Sequence, residues 1–100
     1  MASTDENYIT EIASQIREEI DPGLLPDEGL DQLFASYALL ALSRGRDVSN
    51  EDVHDAWSVW ATHFDPENES LVPYEDLSAA VQDQDTIFRD AIRKVAETLA

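Results

Sequence analysis

The segment GLDQLFASYALLALSR, Gly29 to Arg44, decides the fold, because it is apolar around most of a helical circumference. A helix with one apolar stripe lies at a surface, whereas a helix that is apolar nearly all round is buried. We therefore expect this helix at the centre of the core. Arg44 falls in its last turn, where a cation suits the helix dipole, and Gly45 provides a left-handed stop. The apolar positions are Leu30, Leu33, Phe34, Tyr37, Ala38, Leu39, Leu40, Ala41 and Leu42.

A first helix is predicted before this segment. Ser3, with Glu6 three residues later, has the form of a capping box and predicts a start near Ser3. The sequence Asp21-Pro22-Gly23 ends the helix, because proline cannot continue it and glycine frees the backbone. The apolar stripe of this helix consists of Tyr8, Ile9, Ile12, Ile16 and Ile20.

A third helix is predicted to begin after Ser49, which is a favourable N-cap with Glu51 and Asp52 in the first turn. Val48 before the cap and Val53 at the fourth helical position fit a hydrophobic staple.

The third helix carries an aromatic stripe of Val53, Trp57, Trp60 and Phe64. Aromatic side chains at helical spacing are more often core than ligand pocket, and a chain of 100 residues needs them in its core. We expect Trp60 and Tyr74 to be the partly exposed aromatic side chains.

A fourth helix is predicted to begin at Ser78, with one apolar face made of Val81, Phe88, Ile92, Val95 and Leu99. Pro73 disfavours helix at Val72 and favours a short helical turn over Tyr74 to Leu77. The sequence therefore predicts a single acidic helical domain over residues 1–100. Its fold class is all-α, a compact bundle of four main helices with a short extra turn after a proline loop.

The charge balance is extreme, with 22 acidic residues against 6 basic ones and a formal net charge of −16. Such a surface repels nucleic acid and anionic membranes and favours a partner protein with a basic surface. An acidic surface can equally reflect a requirement for solubility or adaptation to salt, and neither of these needs a partner. The chain has no cysteine for a disulfide or thiolate site, and it shows no apolar span or signal peptide. A cytoplasmic protein is the default expectation.

A base-free tract runs through the middle of the chain and predicts one negative face, which we expect to bind a partner protein without catalysis. Its acids are Asp47, Glu51, Asp52, Asp55, Asp65, Glu67, Glu69, Glu75 and Asp76. A sharper alternative is a DNA mimic, in which carboxylates spaced like phosphates occupy the groove of a nucleic-acid-binding protein.

The stretch FDPENESLVPYEDL, Phe64 to Leu77, resembles a calcium-binding EF-hand loop. Such a loop takes oxygen ligands at fixed positions and needs glycine at its sixth position. Here Ser70 replaces the glycine, Pro73 stiffens the ninth position, and no second loop is visible. We therefore expect no metal and no cofactor. The ligands that a degenerate site would use are Asp65, Glu67, Glu69 and Asp76.

The segment from Asn50 to Val95 is similar to the ryanodine-receptor (RyR) repeat domain. The similarity rests on VHDAW from Val53, on SLVPYEDL from Ser70, and on a following helix that carries Asp85. It departs from the family in a shorter linker between the tryptophan helix and the proline turn. The resemblance implies a small-ligand module, such as one for a nucleotide derivative, with a candidate pocket of His54, Trp57, Pro73 and Tyr74.

The whole chain also resembles small uncharacterised helical proteins of actinobacteria and their phages. That resemblance implies a genomic setting, and action on a host protein in the host cytoplasm, but no activity.

The two histidines give no catalytic prediction. His54 and His63 are nine residues apart, which places them on opposite faces of one helix, so they cannot share a metal. His54 is expected to be exposed or hydrogen-bonded, and no nucleophile or second base is placed beside either histidine. We expect a protein that is not an enzyme.

Overall fold

The computed structural model describes residues 6–99, which fold into four α-helices and three short 3-10 turns and contain no strand. The helices are α1 (Tyr8–Glu18), α2 (Leu30–Ser43), α3 (Asn50–Phe64) and α4 (Ala79–Leu99). The turns span Pro22–Leu24, Gly45–Asp47 and Tyr74–Asp76. The prediction of an all-α four-helix bundle with an extra turn after the proline loop is confirmed.

Helix α1 begins later than predicted, because Asn7 caps it. The Oδ1 atom of Asn7 accepts hydrogen bonds from the backbone N–H groups of Ile9 at 2.8 Å and Thr10 at 3.1 Å. The Thr10 hydroxyl in turn accepts from the N–H of Asn7 at 2.8 Å, which completes a capping box. Ser3 lies outside the described residues, and Glu6 precedes the helix.

Helix α2 lies at the centre of the bundle, as its composition predicts. It packs against α1, α3 and α4, and Leu33, Phe34, Tyr37 and Ala38 are fully buried. One side of α2 nevertheless faces solvent, because Leu39 and Leu42 are exposed. The helix is therefore apolar around more of its circumference than the bundle covers.

The N-cap of α2 is Gly29, which adopts a left-handed conformation with φ of 68° and lies against α3. A Cβ atom at this position would come within 2.5 Å of Trp60 Nε1 and 2.7 Å of the Phe64 ring. This close approach buries Trp60, so the prediction of an exposed Trp60 is wrong. Tyr74 is partly exposed, as predicted, and Trp57 is the tryptophan that keeps some exposure.

The boundaries of α3 and α4 agree with the sequence signals. Ser49 and Asp52 form a capping box at the start of α3, and the staple residues Val48 and Val53 are both fully buried. The Ser78 hydroxyl accepts a hydrogen bond from the N–H of Val81 at 3.3 Å at the start of α4. None of the helices in residues 6–99 has the length and apolarity that a membrane crossing requires.

Candidate ligand cleft

The proline turn is attached to α3 by His54, which is 3% exposed. His54 Nε2 lies 2.7 Å from the carbonyl oxygen of Val72. Because a carbonyl oxygen only accepts hydrogen bonds, Nε2 must carry the proton. From the other side, Gln82 Nε2 on α4 donates to the carbonyl of Tyr74 at 2.9 Å. These two hydrogen bonds hold the turn between α3 and α4. His54 was expected to be either exposed or hydrogen-bonded, and the structure shows the hydrogen-bonded state.

The acidic loop before the turn is organised by Asn68. Its Nδ2 donates to the Asp65 carboxylate at 2.8 Å, and its Oδ1 accepts from the N–H of Ser70 at 2.8 Å. Leu71 then packs against the core. Side-chain hydrogen bonds and an apolar anchor therefore give the loop its shape.

The carboxylates of the EF-hand-like stretch do not converge. Across residues 6–99, no three histidine, cysteine, aspartate or glutamate side chains are grouped so that they could hold a metal ion. The four residues that a degenerate site would use, Asp65, Glu67, Glu69 and Asp76, are thus not brought together as a metal centre.

A cleft with a volume of about 230 Å³ opens between α2, α3 and α4 beside this loop. Tyr37 and Phe88 form one aromatic wall, with ring centroids 5.7 Å apart. His54 and Trp57 form another wall, with their rings stacked at 5.6 Å and an interplanar angle of 22°. Four of the twelve residues that line the cleft therefore carry aromatic rings. The remaining polar groups of its lining are Asn68, Ser70, Gln84 and Asp85.

Asp85 is the one acidic side chain among the residues that line the cleft. Its Oδ2 atom is shielded from solvent and finds no hydrogen-bond donor within residues 6–99. Burial raises the pKa of Asp85 to about 6, although the nearby His54 acts in the opposite direction. A shielded carboxylate oxygen without a donor is an unsatisfied hydrogen-bond acceptor. Such groups are rare in folded proteins and call for a structural or functional explanation.

Tyr37 shares the electrostatic environment of Asp85. Burial, and secondly the negative charge of Asp85, raise the pKa of the Tyr37 hydroxyl well above its ordinary value. The phenol therefore stays neutral, and it can donate or accept a hydrogen bond. The cleft consequently presents a carboxylate, a neutral phenol and an imidazole, contributed by three different helices.

The structure brings together half of the candidate pocket named from the sequence. His54 and Trp57 line the cleft, whereas Pro73 and Tyr74 do not. Tyr74 instead packs against His54, and the centroids of the two rings are 6.1 Å apart.

Sequence reasoning did not place several lining residues in a candidate pocket, although it expected Tyr37 and Phe88 on apolar helix faces and Asp85 in the RyR-like segment. The residues missing from the predicted pocket are Tyr37, Asn68, Gln84, Asp85 and Phe88. The sequence pattern could have identified Asp85 as a site residue. It lies four residues after Val81 and three before Phe88, and therefore on the apolar stripe of α4. An acid on an apolar stripe is a candidate functional group.

The nine acids of the central tract are distributed along α3 and the loops that flank it. Seven of them are exposed, namely Asp47, Glu51, Asp55, Glu67, Glu69, Glu75 and Asp76. Asp52 forms an ion pair with Arg44 at 3.1 Å, so the tract is not free of bases in space. Burial acts to raise the pKa of Asp52, but hydrogen bonds from Ser49 and Arg44 lower it overall.

The acids before α3 and those after it are separated by the length of the helix. The 15 residues of α3 span roughly 20 Å at the rise of an α-helix. The described acids thus form a group at each end of α3, with Glu75 and Asp76 on the proline turn.

Within residues 6–99, these features define an all-α domain with a partly aromatic cleft that contains a carboxylate oxygen without a hydrogen-bond donor. Residues 7–97 match the profile of a family described as a domain of unknown function (DUF7701), and the chain belongs to that family. No curated protein and no solved structure shows a significant match to the chain.

Proposed function

We propose that this chain is a non-catalytic binding module whose cleft between α2, α3 and α4 takes a small ligand. The observation that carries the proposal is Asp85, which lines the cleft together with four aromatic residues and whose Oδ2 atom finds no hydrogen-bond donor within residues 6–99. An unsatisfied buried acceptor costs about 1–3 kcal/mol, and a ligand that donates to it would remove that cost. Concave sites with apolar walls and a few convergent polar groups are the usual form of small-ligand sites.

The volume of the cleft limits the size of the ligand. At about 230 Å³ it lies below the range of roughly 300–1,000 Å³ that drug-sized molecules occupy. The ligand, or the part of it that enters, is therefore small. The resemblance of Asn50 to Val95 to RyR repeats implies the same class of function.

The surroundings of His54 favour binding over catalysis. The Nε2 proton of His54 is engaged by the Val72 carbonyl, so this nitrogen is not free to accept a proton from a nucleophile. The hydroxyl groups of the lining come from Tyr37, whose pKa is raised, and from Ser70. Neither group is activated as a nucleophile by these contacts.

The proposal is tested by NMR with a fragment panel of cationic, neutral and anionic planar compounds. We expect members of the panel to shift the Trp57 indole resonance and the amides of the cleft. Val81→Phe fills the cleft and should abolish these shifts. Val59→Phe makes the same change at an exposed position of α3 and should preserve them. A panel that leaves the cleft resonances unchanged, or shifts that survive Val81→Phe, would overturn the proposal.

A second candidate function is binding of a basic partner protein through the acidic surface, of which a DNA mimic is the sharper form. The exposure of seven acids in the tract favours it. Binding of that kind weakens steeply as salt rises. Substitution of Glu67 and Glu69 by glutamine should weaken it, whereas Val81→Phe should not. Capture of a basic protein that is insensitive to salt and to the glutamine substitutions would contradict this candidate.

A further inference from the structure

We infer that the cleft selects a planar organic cation, an amidinium or guanidinium group, that is held by Asp85 between aromatic walls. This inference rests on the proposed small-ligand function and specifies the chemistry of the ligand. It is carried by three properties of the cleft, namely its charge, the hydrogen-bonding state of Asp85 and the shape of its walls.

The charge of the lining excludes anions and attracts cations. Asp85 contributes a carboxylate, and no lysine or arginine is among the residues that line the cleft. His54 is the one lining residue that can become cationic, and its Nε2 already faces a carbonyl oxygen. The formal net charge of −16 adds a long-range field that concentrates cations at the surface.

The hydrogen-bonding state of Asp85 requires a donor. An ionised carboxylate only accepts hydrogen bonds, and Oδ2 receives none from residues 6–99. Donors that carry a positive charge bind carboxylates more strongly than neutral donors do, and a flat fork of N–H groups can engage both oxygens at once. An amidinium or guanidinium group supplies this fork, whereas an ammonium group acts as a point charge.

The walls of the cleft favour a flat cation over a round one. Trp57 is stacked on His54, Tyr37 lies beside Phe88, and all four residues line the cleft. The faces of aromatic rings are electronegative and attract cations, and guanidinium planes stack on them. Gln84, Asn68 and Ser70 provide further polar groups for the remaining N–H bonds.

The same cation could come from a free small molecule or from an arginine side chain of a partner protein. A free compound such as methylguanidine and a blocked Gly-Arg-Gly peptide carry the same group. If the peptide binds at least as tightly as methylguanidine, the site accepts an arginine side chain. If only the free compounds bind, the cation belongs to a small molecule.

The test compares benzamidine, benzamide and benzoate, which have nearly the same shape and carry a positive, zero and negative charge. We expect isothermal titration of the full chain at neutral pH to show benzamidine binding at least tenfold tighter than benzamide, with no binding of benzoate. Asp85→Asn should remove the preference for benzamidine. Asp83→Asn, an exposed acid on the same helix, makes the same change in net charge and should retain the preference.

Three outcomes overturn the inference in distinguishable ways. If benzamide or benzoate binds the cleft as tightly as benzamidine, the small-ligand function stands but cation selection is wrong. If benzamidine binding survives Asp85→Asn, the carboxylate is not the recognition group. If none of the three compounds binds, the cation assignment falls, whereas the proposed function falls only if the wider fragment panel also fails.

Discussion

The Nε2–H group of His54 on α3 donates a 2.7 Å hydrogen bond to the carbonyl oxygen of Val72, eighteen residues later in the chain. This contact joins α3, which supplies His54 and Trp57 to the cleft, to the segment that leads into the proline turn. His54 is therefore a structural residue through its Nε2 atom and also one of the residues that line the cleft.

Replacement of His54 by phenylalanine should detach the proline turn from α3. Phenylalanine keeps a ring against Trp57 but removes the donor to Val72, so we expect a loss of about 1–2 kcal/mol in the free energy of unfolding. Denaturant unfolding measures this loss, and hydrogen exchange should show faster exchange at Tyr74 to Leu77. His63→Phe, at an exposed position of the same helix, is the control and should change neither quantity. Unchanged exchange in the turn of the His54 variant would contradict the assignment.

Replacement of Gly29 by alanine should destabilise the fold severely. The new Cβ atom would lie 2.5 Å from Trp60 Nε1, and the backbone would keep a positive φ of 68°. Overpacking and left-handed strain together should cost about 3 kcal/mol.

Gly45→Ala is the matched control for this prediction. Gly45 has a φ of 60°, but no atom of the described residues lies within 4 Å of an added Cβ, so only the strain of about 1 kcal/mol remains. Thermal melts of both variants measure the difference. Equal losses of stability in the two variants would show that the packing of Gly29 against α3 does not contribute to the free energy of unfolding.

Replacement of Asp85 by asparagine should stabilise the ligand-free protein. The pKa of Asp85 is raised from 3.8 to about 6 on folding, so its ionised form is disfavoured in the folded state. Because Asp85 is only half-buried, solvent screens part of this effect, and we expect a gain of about 1 kcal/mol above pH 6.

The pH dependence of this gain follows from the direction of the pKa shift. Above the folded pKa the destabilising effect of the ionised carboxylate is fully present. It decreases as the pH falls from about 6 and is lost below 3.8, where the folded and unfolded states are both protonated. Thermal melts of Asp85→Asn and Asp83→Asn against pH measure it. A gain that does not depend on pH, or one shared by the Asp83 variant, would show that ionisation of Asp85 is not the cause.

Binding of benzamidine should weaken at acidic pH. The cation needs the ionised carboxylate, and with a pKa of about 6 the affinity at pH 5 should be about tenfold lower than at pH 7. The titratable groups that face Asp85 are Tyr37 from α2 and His54 from α3. A His54→Phe profile separates the contribution of the imidazole. Affinity that is constant between pH 5 and 7 would contradict recognition by the Asp85 carboxylate.

Local signals in the sequence predicted most of the helix boundaries. The N-cap at Ser49, the left-handed stop at Gly45 and the turn after Pro73 depend on residues that are close in sequence. The predicted start near Ser3 lies outside the described residues, within which Asn7 and Thr10 form the capping box of α1. Two competing caps a few residues apart carry almost the same local signal.

The candidate site was predicted only in part, because its groups come from elements far apart in the chain. His54 and Trp57 were found since both lie in the VHDAW motif. Tyr37 was assigned to the core, where it is indeed buried, but its position beside Asp85 depends on how α2 and α4 pack. The RyR resemblance implied Pro73 and Tyr74 as pocket residues, whereas in the structure neither lines the cleft and Tyr74 packs against His54.

The sequence by itself determined the helices, their caps and the acidity of the surface, because hydrophobic periodicity, capping and net charge are properties of neighbouring residues or of composition. The tertiary structure alone decided that Gly29 meets Trp60, that Arg44 pairs with Asp52, and that one oxygen of Asp85 in the cleft finds no donor within the described residues 6–99. The physical reason is that burial, desolvation and pairing depend on which helix faces pack together. Those contacts join residues that the linear order of the chain separates.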